Sequence, residues 1–75
     1  MTDRLRRVMA NILNIPESAL PENPSISTVA NWDSLAQLRL VMAIEEEFKI
    51  RFPSDSIMEM TSLSAFKTAL EKLSQ

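Results

Sequence analysis

Few side chains in this sequence are equipped for chemistry, and the most suggestive is a serine. Asp33-Ser34-Leu35 sets a hydroxyl beside a carboxylate. A serine oxygen acts as a nucleophile when a base lies within hydrogen-bond reach, and the usual base is missing. The chain has no His and no Cys, which removes Ser-His-Asp arrangements together with imidazole and thiolate metal ligands. It has no Gly either, so phosphate-cradling loops of the P-loop and dinucleotide-binding kinds are excluded. The other cluster is Glu45-Glu46-Glu47. Consecutive helical residues lie about 100° apart, so these carboxylates point in three directions and read as a solvated face, not a metal site. An enzyme built here would have to work on carboxylates and lysines alone. A carrying or binding role is the better fit.

Ser34 needs an element to position it, and the segment that follows supplies one. Residues 35–48 contain no Pro and no Gly and are rich in Leu, Met, Ala and Glu, which predicts the strongest helix of the chain. Ser34 followed by Gln37 matches a capping box, and Asp33 competes for the same cap position. Around this helix Leu35, Leu38 and Met42 cluster on one side while Leu40, Ile44 and Phe48 spread around another. A helix apolar on two sides lies centrally in a bundle or shows one side to a partner.

Upstream, Leu5, Val8, Met9, Ile12 and Leu13 form one apolar stripe of an amphipathic first helix, with Thr2 or Asp3 as N-cap. It should stop near Asn14, because Pro16 disfavours helical geometry at Ile15. Residues 14–33 hold Pro16, Pro21 and Pro24 among polar residues and read as a long loop with at most one turn of helix. Leu20, Ile26 and Val29 are expected to dock that loop onto the core. Downstream of Pro53, Ser54-Asp55-Ser56 before Ile57, Met58 and Met60 suggests a short third helix. Thr61 or Ser62 then caps a last helix with Leu63, Phe66, Leu70 and Leu73 on its buried face. The expected architecture is all-α, a four-helix bundle of three longer helices and one short one, with a long loop between the first two.

Composition bounds the rest. With 75 residues there is room for one compact domain, 1–75, and one modest core. Apolar residues make up 45% and charged residues 24%, a balance that folds. A secreted chain of this size usually needs disulfides, so cytoplasmic residence is the expectation. No run is apolar enough to span a membrane or serve as a signal peptide. Net charge is −2 and the basic residues are dispersed, which disfavours nucleic acid as a partner.

The stretch Asp33-Ser34-Leu35, followed by Leu38, Leu40, Val41, Met42, Ala43, Ile44, Glu45, Glu46, Glu47 and Phe48, closely resembles the acyl carrier protein family. The resemblance is strong over residues 32–52 and looser over the whole chain. It implies that Ser34, within the motif it forms with Asp33 and Leu35, carries a covalent 4′-phosphopantetheine arm derived from coenzyme A. It also implies a monomer that is not itself an enzyme. Its partners would be a phosphopantetheinyl transferase and the acyl-loading, condensing or transfer enzymes to which a thioester is delivered. Acidic residues such as Glu45 and Glu46 would meet basic patches on those enzymes, with Leu38 and Met42 adding apolar contact. The physics of the position agrees, since a helix N-terminus favours a phosphodiester on Ser34 Oγ. The Asp33 carboxylate opposes it, which assigns Asp33 to capping or to recognition by the modifying enzyme.

Two departures from the family pattern narrow the expectation. Carriers of primary fatty acid synthesis have acidic residues where this chain has Ala36 and Arg39, so its partners should belong to another lipid, polyketide or secondary pathway. Aminoacyl or peptidyl cargo is a variant, and a non-carrier helical interaction domain is the rival reading. Asn31-Trp32 replaces the usual Gly-containing approach, and Trp32 either packs against the loop or shapes a docking surface.

Overall fold

The computed structural model describes residues 2–73. Three α-helices form in chain order, α1 (Thr2–Leu13), α2 (Ser34–Phe48) and α3 (Leu63–Leu73), with single 3-10 turns at Glu17–Ala19 and Ile57–Glu59. The short third helix expected from the sequence is thus only the second of these turns. It has no side-chain cap at Ser56, and three residues are too few for an α-helical hydrogen-bond ladder. Among the described residues there is one isolated antiparallel bridge, Ser25 to Ser62.

α1 buries Leu5, Met9 and Leu13 with Val8 and Ile12 half-buried, as its periodicity requires. Thr2 already lies within the helix and Asp3 in its first turn, so neither is the residue preceding it, which falls outside the described residues. The helix ends where expected. Asn14 adopts a left-handed conformation (φ 58°), and the Ile15 N–H donates to Ala10 O at 3.1 Å before Pro16.

The long loop is held down by polar anchors as well as by apolar docking. The Arg6 guanidinium donates to three successive carbonyls, Leu20 (3.0 Å), Pro21 (2.8 Å) and Glu22 (3.1 Å). Asn31 Nδ2 donates to Leu13 O at 3.0 Å, satisfying one of the unpaired carbonyls at the end of α1. Leu20 and Val29 are buried as expected, but Ile26 is 42% exposed. The chain turns at Ser25, whose carbonyl accepts from both Thr28 and Val29, and that turn directs Val29 inward instead of Ile26.

The core lies between the inner faces of the three helices. Phe66 of α3 is fully buried at its centre, stacked on Trp32 with ring centroids 6.4 Å apart and tilted against Phe52 at 5.9 Å. Leu40, Val41 and Ile44 bring the inner face of α2 onto this layer. Leu73 is partly exposed at the end of the α3 stripe. α1 is tied across to the end of α2 by Arg4, which pairs with the Glu47 carboxylate at 2.9 Å and lies 4.6 Å over the Phe48 ring.

Candidate functional site: the start of helix α2

Asp33 settles the competition for the cap. Its backbone is extended, and its Oδ1 accepts from the Ala36 N–H at 2.8 Å. Ser34 is therefore the first helical residue and not the cap, and the capping box does not form. The consequence is chemical. The Ser34 hydroxyl, which a cap would have engaged, is exposed and has no hydrogen bond among the described residues. The Ser34 and Leu35 N–H groups likewise have no protein partner among the described residues. These donors sit at the positive end of the helix macrodipole.

Gln37, the other half of the expected box, faces inward and is 1% exposed. Its Oε1 accepts from Trp32 Nε1 at 2.7 Å, and its Nε2 donates to Ile57 O at 2.7 Å and Met60 O at 2.8 Å. A buried amide with unpaired atoms would be costly, and here both donors and the oxygen are used. The network holds the start of α2 against the turn at Ile57–Glu59. Trp32 belongs to it and is buried, so it packs within the fold instead of forming a docking surface.

The outer face of α2 is different. Leu35, Leu38 and Met42 are exposed, Met42 by 68%. Arg39 and Glu46 are exposed beside them, and Met58 is exposed on the adjoining turn. The exposure of Met58 has no signal in the sequence, because it depends on how the turn is tied to Gln37. Ala36 is buried, so the difference from fatty acid carriers at that position is met by the core. Arg39 alone alters the surface.

The three glutamates diverge into separate tasks. Glu45 Oε2 accepts from the Phe52 N–H at 2.7 Å, Glu47 holds Arg4, and Glu46 remains on the exposed surface. Glu45 thus ties down the chain leaving α2, and Glu46 is left on the exposed surface without such a task. A separate cleft of about 460 Å³ lies between α3 and residues 52–56, lined by Phe52, Pro53, Ala65, Ala69 and Leu73 among others. No residue of α2 lines it.

The family model described as a phosphopantetheine attachment site matches residues 3–70, from the first turn of α1 to near the end of α3. The chain belongs to this family. Phosphopantetheine attachment domains share the helical fold of acyl carrier proteins, receive 4′-phosphopantetheine covalently from modifying transferases and work with partner enzymes. Such domains are generally non-catalytic. In this phosphopantetheine attachment domain the start of α2 suits the group. It offers an exposed hydroxyl, two N–H groups and a positive helix end to a phosphodiester, with the Asp33 carboxylate turned onto Ala36. No helix among the described residues is long and apolar enough to cross a membrane.

Proposed function

We propose that Ser34 is the attachment point, and that the chain is one carrier domain holding acyl or related intermediates as thioesters for delivery to enzymes of a lipid, polyketide or other secondary pathway. The observation that supports this most directly is the transfer of capping from Ser34 to Asp33, which leaves the serine oxygen exposed and unengaged in a domain of this family. Ser34 Oγ gives up its proton and attacks the pantetheine-bearing phosphorus of coenzyme A. The pyrophosphate P–O bond breaks, adenosine 3′,5′-bisphosphate leaves with the bridging oxygen, and Ser34 Oγ becomes the ester oxygen of a phosphodiester. The neighbouring N–H groups then balance its negative charge. The carrier contributes position and recognition, while thioester chemistry belongs to the arm and to the partners.

Docking in this reading uses the outer face of α2. Leu38 and Met42 offer apolar contact, and Arg39 and Glu46 place one charge of each sign beside them. A partner that meets this face needs an apolar hollow and a carboxylate for Arg39. That requirement disfavours the strongly basic partners of primary fatty acid synthesis.

The deciding measurement is intact mass after incubation with coenzyme A and a broad-specificity phosphopantetheinyl transferase. The wild-type chain should gain one phosphopantetheine and Ser34→Ala none. No gain by the wild type, or an equal gain by the variant, would return the chain to the reading of a helical interaction domain.

A further inference from the structure

Resting on the assignment of Ser34, the geometry behind that residue bears on what the arm carries. The space between the first turns of α2 and the segment at residues 57–60 is the nearest interior to Ser34, and it is occupied. Trp32 fills it with an indole stacked on Phe66, and Gln37 crosses it with three hydrogen bonds of 2.7–2.8 Å. An alkyl chain entering there would have to part Gln37 from the carbonyls of Ile57 and Met60 and leave all three groups unpaired in an apolar setting. Unpaired buried polar groups are among the costliest defects of a fold. The cleft beside α3 does not offer an equivalent shelter next to Ser34, since it is lined by Phe52, Pro53, Ser56 and α3 residues and by none from α2.

We propose that Gln37 and Trp32 act as a latch that keeps the cargo outside the helical bundle, so that this carrier serves short or polar acyl groups, which need no apolar shelter. Gln37 is in this role a specificity-determining residue that touches neither Ser34 nor a partner. The latch also ties the turn that carries Met58 to the start of α2.

The test loads the full chain with acetyl- or octanoyl-phosphopantetheine from the corresponding coenzyme A thioesters, with occupancy read from intact mass. Two properties of the loaded proteins are then compared, the thermal midpoint and the emission of Trp32, the sole tryptophan. The expected result is the same midpoint and the same Trp32 emission for both cargoes. A midpoint higher by about 4 °C or more for the octanoyl form, the size expected when a few methylenes become buried in a domain of this length, together with a shifted emission, would overturn the proposal. Gln37→Leu removes the polar bar, and in that variant the octanoyl form should gain stability over the acetyl form. An octanoyl chain without effect there would show that the latch is not what excludes it. Should Gln37→Leu fail to fold, the wild-type pair decides alone. Absence of any mass gain overturns the Ser34 assignment itself, whereas a loaded but sheltered octanoyl chain overturns only the latch.

Discussion

At the start of α3 the N–H groups of Leu63, Ser64 and Ala65 donate to Pro24 O, Asn23 Oδ1 and Ser62 Oγ, so each donor of that first turn ends on a protein acceptor. At the start of α2 the Asp33 carboxylate serves Ala36, and the Ser34 and Leu35 N–H groups have no protein partner among the described residues. Both helices are capped by an oxygen-bearing side chain one residue before they begin. The difference lies in what surrounds the cap. The long loop returns to α3 and closes its end, whereas α2 emerges toward solvent with its donors open and a hydroxyl beside them. The closed start of α3 serves the fold, and the open start of α2 is the one that the proposed attachment at Ser34 would use.

Substitutions at the two starts should reflect that contrast. Asp33→Ala removes the side-chain acceptor that caps the first turn of α2 and should cost about 0.5–2 kcal/mol in urea unfolding. Ser62→Ala should fall at the lower end, about 0.5 kcal/mol, because Leu63 and Ser64 keep their partners. Equal costs, or a larger cost at Ser62, would break the comparison.

The far end of α2 sharpens it further, since there an exposed terminus is closed by backbone alone. Lys49 takes a left-handed conformation (φ 55°), and the Ile50 N–H donates to Glu45 O at 3.1 Å. In a chain without Gly this position carries a Cβ that disfavours it. Lys49→Gly should therefore stabilise the protein by about 0.5–1 kcal/mol, with no change in the phosphopantetheine gained. A destabilised variant would mean that the lysine side chain supports the helix end.

The smallest effect on stability is expected on the outer face of α2. Met42→Ala and Leu38→Ala should each shift unfolding by no more than about 0.5 kcal/mol, because the side chains lie at the surface. The kcat/KM of a broad-specificity phosphopantetheinyl transferase should fall about fivefold or more if this face anchors an interface. Stability losses like those of core residues would place these side chains in the fold and remove the docking role.

Much of this was legible in the residues. The stripe from Leu5 to Leu13 and the Pro-free run after Ser34 were readable because helix periodicity is local, and the α1 stop was readable because Pro16 acts on its neighbours. That α2 is apolar on two sides was readable, but it left central burial and an exposed side both open, and the fold leaves Leu35, Leu38 and Met42 exposed. Composition marks Ile26 as apolar and suited to the core, but the turn at Ser25 carries it outward. A few apolar residues near a Ser look alike in a 3-10 turn and in an α-helix, so the segment after Ser56 reads as a short helix and forms only a turn.

Sequence by itself determined the helices, their order, the position of Asp33-Ser34-Leu35 at a helix start and the kinship with acyl carrier proteins. These rest on periodicity, proline and neighbouring residues. Only the tertiary structure decided that Asp33 caps and Ser34 does not, that Gln37 turns inward to Trp32, Ile57 and Met60, and that the three glutamates part company. The Asp33 cap is local, but the other two outcomes depend on bringing together groups from different segments, as far apart as Arg4 and Glu47. A side chain with two satisfactory local positions takes the one that leaves no buried polar atom unpaired, and that choice exists only once the elements have met.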